Sequence, residues 1–211
     1  MIERILPGAV RSAYALDDPP GATLFPEEQA LVATAAPKRR GEFTTVRHCA
    51  RTALASLDVP PRPILRGERG APIWPAGIVG SLTHCAGYRA AAVARASDVT
   101  GIGIDAETHG PLPPGVLDLV SLPGEREHLA GLATAIPDTF WERLLFSAKE
   151  SVYKVWFPRT GEWLGFEEAE VTFHPEKGAF TARLLRDGPF PSLDGRFLVV
   201  DGLVLTAITL G

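Results

Sequence analysis

The longest regular pattern in the chain is the stretch WERLLFSAKESVYKVWF, residues 141–157. Its apolar residues recur at steps of three and four, which is the period of one helix face. They are Trp141, Leu144, Leu145, Ala148, Val152, Val155 and Trp156. Asp138 is suited to cap this helix at its start, and Pro158 predicts its end. The stretch therefore predicts one long helix with a buried stripe and a polar face.

The polar face of this helix carries groups suited to catalysis. Ser147, Glu150 and Lys154 are spaced by three and four residues, so they share one face. Glu150 suits a metal ligand, and Lys149 and Lys154 suit phosphate or the oxygen of a leaving group. The alternative is an ordinary ion pair between Glu150 and Lys154, which would stabilise the helix by about 0.2–0.5 kcal/mol.

A strand predicted over residues 99–105 leads into a pair of carboxylates. Side chains two residues apart in a strand point to the same side, so Asp105 and Glu107 would project together. Two carboxylates this close repel each other unless a proton or a cation lies between them. Oxygen ligands without His or Cys suit Mg²⁺ better than zinc. The alternative is a solvated strand end.

Positive charge is concentrated on a helix predicted over residues 38–57. Arg40, Arg47 and Arg51 fall within about 60° of one another on it, and Arg39 lies at its N-terminal end. Arginine forks bind phosphate through paired hydrogen bonds. The alternative is a basic face that only keeps the protein solvated.

Two turns add to this basic character. The first is the glycine-rich loop Arg66-Gly67-Glu68-Arg69-Gly70. The second joins two strands predicted over residues 77–82 and 88–94, and it carries Thr83 and His84. His84 would be either a phosphate donor or a structural histidine.

The composition excludes several classes of protein. The 211 residues carry a net charge of −4, and 45% of them are hydrophobic. These values exclude intrinsic disorder and argue against bulk affinity for nucleic acid. No stretch approaches the roughly 20 apolar residues of a membrane span, and no signal peptide is evident. We therefore expect a cytoplasmic protein in which Cys49 and Cys85 are free thiols.

The chain divides near the proline-rich segment His109–Pro114. Before it lie the basic helix and a hairpin. After it come a helix over 125–133, the long helix, and strands over 169–173, 179–185, 196–200 and 203–210. A helix with hairpins in each half raises the possibility of an internal duplication. We predict an α+β protein of two lobes, residues 1–108 and 109–211.

Taken together, these segments resemble the 4′-phosphopantetheinyl transferases. The likeness rests on four stretches in order, and on Trp163-Leu164-Gly165-Phe166 after the long helix. The stretches are Arg40–Leu54, Gly80–Cys85, Gly103–Glu107 and Phe146–Lys154. The type most similar is the two-lobed monomeric one of actinobacteria, which primes polyketide synthases and nonribosomal peptide synthetases. The resemblance implies two similar lobes related by a pseudo-two-fold axis, with the active site between them.

The resemblance also implies roles for individual residues. The implied ligands of Mg²⁺, or of Mn²⁺, are Asp105, Glu107, Glu150 and the carbonyl of Ala106. The implied contacts to coenzyme A are Arg39, Arg47, the loop Arg66–Arg69 with Gly67 and Glu68, Thr83, His84, Asp105, Lys149, Glu150 and Lys154. Glu150 is the candidate base and Glu107 the second candidate. His84 and Lys154 would offset charge on the leaving side.

The implied reaction moves 4′-phosphopantetheine from coenzyme A to a serine of an apo acyl or peptidyl carrier protein, releasing 3′,5′-ADP. Phosphoryl transfer of this kind depends on positioning and charge neutralisation, which carboxylates, a cation and basic residues supply. Two alternatives share those groups. One is a Mg²⁺-dependent phosphohydrolase acting on coenzyme A or a related nucleotide, and the other is a non-enzymatic module that binds coenzyme A or a carrier protein.

Overall fold

The computed structural model describes all residues, 1–211. Its strands are β1 (Arg11–Ala15), β2 (Ile78–Cys85), β3 (Tyr88–Arg95), β4 (Gly101–Thr108), β5 (Ala169–His174), β6 (Ala179–Leu184), β7 (Ser192–Val200) and β8 (Leu203–Leu210). Its helices are α1 (Pro26–Ala30), α2 (Pro37–Ala55), α3 (Val116–Val120), α4 (Pro123–Ala135) and α5 (Trp141–Thr160). None of the helices combines the length and apolar character that a bilayer crossing requires.

The strands form two antiparallel sheets. The first has the order β1-β3-β2, and the second has the order β4-β8-β7-β6-β5. Helix α2 packs on β1 and β3 of the first sheet, and α5 packs on β4 and β8 of the second. Each sheet therefore has one long helix against it, which is the arrangement expected of an α+β protein of two lobes.

Side-chain hydroxyl groups join the two sheets where β2 runs beside β4. Ser81 Oγ accepts a hydrogen bond from the amide of Ile104 (3.1 Å), and Thr83 Oγ1 accepts one from the amide of Ala106 (3.0 Å). These two bonds satisfy buried amides of β4 that its backbone pairing with β8 leaves open. The junction fixes the position of β4 relative to the first half of the chain.

Alternation along β3 shows how the core is shared. Ala90, Ala92 and Ala94 pack into a cluster with residues of β4 and β8. Ala91 and Val93, on the other face, pack against α2. Because strand side chains alternate, one strand serves two hydrophobic clusters. A third cluster buries the predicted apolar stripe of α5 against β5–β8.

The close fit of α5 on β4 depends on glycine. A Cβ on Gly103 would lie 2.1 Å from the backbone oxygen of Ser151, closer than real atoms approach. Only a residue without a side chain lets the helix come this near the strand. This contact brings the polar face of α5 next to the carboxylates of β4.

The structure confirms the α+β class and the free state of both cysteines. It corrects the ends of the long helix, which starts after Phe140 without a cap from Asp138 and continues through Pro158. Gly161, in the left-handed region at φ 72°, ends it instead. Pro158 is accommodated because it lies in the last turn, where it removes a single backbone bond.

Two further differences concern the strands. Strand β1 was not expected, since its Ser and Ala residues have low strand propensity, and pairing with β3 stabilises it. The predicted lobe boundary at residue 108 places β4 in the first half. Backbone hydrogen bonds along Gly101–Thr108 instead assign β4 to the second sheet, so the sheets divide the chain before Gly101.

Candidate active site

A cavity of about 710 Å³ lies where α2, β2, β4 and α5 come together. Side chains from both halves of the chain line it. Among them are ten that the sequence singled out: Arg39, Arg47, Arg66, Arg69, Thr83, His84, Asp105, Glu107, Glu150 and Lys154. The predicted carboxylates and most of the predicted cations thus face one space.

Asp105 is the most buried of the carboxylates, with 5% of its surface exposed. Its Oδ1 accepts hydrogen bonds from Lys154 Nζ (2.7 Å) and Thr83 Oγ1 (3.1 Å). Its Oδ2 is buried and has no partner in the protein. Leaving a charged oxygen unpartnered costs free energy, so this atom points to a ligand that would satisfy it.

Glu107 and Glu150 line the same cavity as Asp105. Burial and the neighbouring Asp105 charge raise the pKa of Glu107, and Arg143 opposes the shift through a 3.1 Å hydrogen bond. Burial also raises the pKa of Glu150, with Lys154 opposing it. Both carboxyl groups therefore hold a proton more tightly than exposed glutamates do.

Lys154 spans the gap between α5 and β4. Besides its ion pair with Asp105, its ammonium group donates to the carbonyl of Ile104 (3.1 Å). A quarter of its side chain remains exposed to the cavity. Lys154 can therefore pair with a phosphate oxygen without leaving the strand.

The basic residues of α2 occupy the other wall. Arg47 is 5% exposed, its guanidinium lies 3.3 Å from the centroid of the Phe43 ring, and burial lowers its pKa to about 10. Arg39 contacts His84 Nε2 and pairs with Glu42 at 3.5 Å. Burial and Arg39 lower the pKa of His84, which is therefore neutral at physiological pH. An anion would find one buried guanidinium, that of Arg47, and one exposed guanidinium, that of Arg39, here.

The loop over 66–72 closes this wall. Arg66 pairs with Pro72 as an isolated β-bridge, and Gly67 donates to the carbonyl of Ala71 (2.7 Å). Arg69 has φ 49° and stacks over Trp163 at 5.3 Å, which connects the loop to the segment after α5. The loop thus presents Arg66 and Arg69 to the cavity.

Comparison with known proteins identifies this arrangement. Residues 27–94 match the family model "4′-phosphopantetheinyl transferase N-terminal domain", and residues 101–206 match "4′-phosphopantetheinyl transferase superfamily". The chain belongs to the 4′-phosphopantetheinyl transferase superfamily. Members of this superfamily use coenzyme A and a divalent metal.

Curated relatives from actinobacteria support the same assignment. The chain is 56% identical over 217 residues to the 4′-phosphopantetheinyl transferase Svp of Streptomyces mobaraensis, covering 99% of this chain and 88% of Svp. It is 52% identical over 225 residues to PptT of Mycobacterium tuberculosis, covering 100% and 98%. It is 53% identical over 222 residues to Npt of Nocardia iowensis, covering 99% of each. The chain is a phosphopantetheinyl transferase of the actinobacterial type.

Four residues predicted for the transferase site do not reach the cavity. Lys149 is 3% exposed and donates to Glu125 Oε2 (2.7 Å) and to the carbonyl of Phe166 (2.7 Å). Lys149 directly precedes Glu150 in the sequence, but one helical step of about 100° points its side chain away from that of Glu150. Ala106, Gly67 and Glu68 also lie outside the lining. Ala106 is fully buried, and its amide is held by Thr83.

Three residues of the transferase site were not predicted. Glu42 pairs with Arg39 and lies 3.4 Å from His84 Nε2, and its spacing of three from Arg39 is the signal that could have found it. Tyr153 lines the cavity, and its buried hydroxyl has no partner. Arg143 holds Glu107 and lies seven residues, or two helical turns, before Glu150.

The carboxylates fit a divalent metal in chemistry but are not gathered as a finished site. No group of three metal-ligating side chains lies close enough to hold an ion. Lys154 takes one oxygen of Asp105, and Arg143 takes one oxygen of Glu107. The unpartnered Asp105 Oδ2 is a hard oxygen of the kind that Mg²⁺ prefers. The residues present therefore fit a metal bound mainly through oxygen.

Proposed function

We propose that this transferase moves the 4′-phosphopantetheine group of coenzyme A to a serine hydroxyl of an apo carrier protein, with Mg²⁺ as its metal. One observation carries the proposal. A single cavity is lined by five arginines, four carboxylates and Lys154. Coenzyme A carries a pyrophosphate and a 3′-phosphate, so it needs cations, while the transfer needs a base and a metal. The cavity has groups for each requirement.

The arginines are proposed to bind the nucleotide part of coenzyme A. Arg47 is preorganised against Phe43, so it would bind phosphate with little loss of side-chain entropy. Arg39 and the neutral His84 would bind beside it, and Arg66 and Arg69 would face the nucleotide from the loop. The hydroxyl of Thr83 is used by Asp105 and Ala106, so we assign Thr83 to holding β4 rather than to phosphate.

The carboxylates are proposed to hold the metal. Asp105, Glu107 and Glu150 would supply side-chain oxygens, and the carbonyl of Ala106 is a further candidate. A bound Mg²⁺ would polarise a phosphoryl oxygen and stabilise negative charge on departing 3′,5′-ADP. Lys154 supports the same end because its ammonium group already lies 2.7 Å from Asp105 Oδ1.

The transfer exchanges one bond to phosphorus for another. The serine oxygen forms a bond to the β-phosphorus, and the bond from that phosphorus to the bridging oxygen of the pyrophosphate breaks. The electron pair leaves with 3′,5′-ADP, and the serine proton passes to a base. We assign Glu150 as the base, directly or through water, with Glu107 as the alternative. Lys154 and His84 would offset charge on the leaving oxygens.

The partners are proposed from the family assignment. We propose acyl and peptidyl carrier domains of polyketide synthases and nonribosomal peptide synthetases as acceptors, and a monomer acting in the cytoplasm. Neither nucleic acid nor a membrane enters the proposal, because the net charge is −4 and the cavity suits a small phosphorylated ligand.

Incubation with coenzyme A, Mg²⁺ and an apo carrier protein tests the proposal. We expect the carrier to gain the mass of one phosphopantetheine group, measured by intact-protein mass spectrometry. D105A should abolish the gain, since it removes both the ligand oxygen and the partner of Lys154. The control E170Q changes an exposed carboxylate paired with Arg183 and should transfer normally. Release of phosphopantetheine without any acceptor would instead identify a phosphohydrolase.

A further inference from the structure

Arg143 connects three parts of the structure that meet at the end of β4. Its Nη1 donates to Glu107 Oε2 (3.1 Å), its Nε donates to the carbonyl of Gly110 (3.2 Å), and its Nη2 donates to the carbonyl of Pro111 (2.5 Å). Only 14% of its side chain is exposed. Every nitrogen of the guanidinium is therefore committed to one acceptor, which fixes its plane.

The segment that Arg143 holds is the connection between the last strand residue, Thr108, and α3. Two further contacts fix the same segment: the amide of His109 donates to the carbonyl of Gly202 (2.8 Å), and the amide of Phe140 donates to His109 Nε2 (3.1 Å). The backbone on one side of Glu107 and the start of α5 are thus tied together. Arg143 is the part of this network that also reaches the carboxylate.

We propose that Arg143 is a positioning residue for Glu107, holding Oε2 so that Oε1 stays available to the divalent metal. Oε1 accepts no hydrogen bond from the protein, and Glu107 lines the cavity. The inference rests on the proposed function, because it takes the metal to bind at Asp105, Glu107 and Glu150. Side chains that orient a metal ligand commonly change metal affinity by roughly 10–100-fold when they are replaced.

Simple electrostatics predicts the opposite outcome for removal of Arg143. Taking away a positive charge close to a cation site should strengthen cation binding. Positioning predicts weaker binding, since a freed Glu107 would lose its fixed orientation and be repelled by Asp105. The sign of the change in metal affinity therefore separates the two effects.

The experiment measures Mn²⁺ binding to the full chain by calorimetry, with and without coenzyme A, for wild type, R143Q and R143K. We expect R143Q to bind Mn²⁺ roughly 10-fold or more weakly than wild type. R143K keeps the charge but can reach fewer of the three acceptors, so it should fall between them. R183Q removes an arginine from an exposed ion pair and serves as the matched control with unchanged binding.

Unchanged or tighter Mn²⁺ binding by R143Q would overturn the inference. If R143Q does not fold, as judged by its thermal midpoint, R143K decides: wild-type Mn²⁺ affinity in that variant overturns the proposal, and weaker binding supports it. In transfer assays, the half-saturating metal concentration should rise for R143Q more than the KM for coenzyme A. Because Mn²⁺ binding needs no carrier protein, failure of the transfer reaction would be seen separately.

Discussion

The short helices α1 and α4 begin alike in the two halves of the molecule. Each has proline at its first position and a buried glutamate at its third, Glu28 and Glu125. Each glutamate accepts the amide of its own N-cap residue, at 2.9 Å in α1 and 2.7 Å in α4. Each also accepts a distant backbone amide, that of Ile64 at 2.8 Å or that of Val171 at 2.7 Å.

Each glutamate also pairs with a cation on the long helix of its own half. Arg51 of α2 binds both oxygens of Glu28 at 3.0 Å, and Lys149 of α5 binds Glu125 at 2.7 Å. The same three contacts of the glutamate in each half support the internal duplication suggested by the sequence. The device ties a capped short helix, a long helix and a later segment of the chain together.

The two pairs differ in what surrounds the cation. The Arg51 side chain is 13% exposed, whereas that of Lys149 is 2% exposed. Burial lowers the pKa of Lys149, although Glu125 opposes the shift. The residue after Lys149 is Glu150, which lines the cavity, whereas the residue after Arg51 is the exposed Thr52. The same glutamate–cation pair thus serves stability in the first half, whereas in the second half it also lies next to the active-site residue Glu150.

We expect the largest loss of stability from E125Q, which breaks the buried ion pair between Glu125 and Lys149. This change leaves the Lys149 ammonium buried without its counter-charge, and breaking a buried pair from one side costs about 3–5 kcal/mol. We expect the free energy of unfolding in urea to fall by that amount. Because Glu150 follows Lys149, kcat should fall more than the KM for coenzyme A rises. A loss below about 1 kcal/mol would show that Lys149 finds water or another partner, and E170Q provides the exposed-pair control.

The same substitution in the first half, E28Q, should cost less. Arg51 can be rehydrated because it is partly exposed, and it keeps its contact with the carbonyl of Thr23. We expect a loss of about 2 kcal/mol, the cost of weakened bonds to buried donors. Glu28 also holds Ile64, whose carbonyl accepts from Arg47 at 3.3 Å. Steady-state kinetics should therefore show a higher KM for coenzyme A with kcat little changed.

Equal effects of E28Q and E125Q on kcat and KM would contradict the division of roles between the halves. The comparison is informative because both changes replace a buried glutamate by its amide of nearly the same shape. Unfolding should be measured in the same denaturant for both variants, so that a difference in exposed surface on unfolding is detected as a difference in slope.

Local periodicity was sufficient to predict the elements that carry the site. The apolar stripe of α5 and the same-side projection of Asp105 and Glu107 follow from periods of 3.6 and 2 residues. Both carboxylates line the cavity with Glu150 and Lys154, as that periodicity predicts. Family resemblance then supplied the function, which the residues alone left open.

Contacts between distant parts of the chain could not be predicted in this way. Lys149 resembles a phosphate ligand by its place in the motif, but its partner Glu125 is 24 residues away in sequence. The pairing of β4 with β8 is equally non-local, and it moved the boundary between the sheets. The roles of such residues depend on which distant residues the fold places next to them, and a local sequence pattern does not contain that information.

Glu150 follows Lys149 of the buried Lys149–Glu125 pair, and its replacement has the smallest expected effect on stability. We expect E150Q to stabilise the protein while stopping the reaction. Burial raises the pKa of Glu150 above its usual 4.5, with Lys154 opposing the shift. The folded state then binds the proton more tightly, so stability falls as pH rises from 4.5 through the raised value. Glutamine removes that penalty.

In the presence of a chelator, we expect E150Q to have a higher thermal midpoint than wild type at neutral pH, and the advantage should disappear below pH 4.5. A T52Q control, in the position after Arg51, should show no such dependence on pH. An E150Q midpoint equal to or below that of wild type at neutral pH would mean that the attraction of the Lys154 charge outweighs the burial of Glu150. The Glu150 carboxylate would then cost the second half of the molecule no stability.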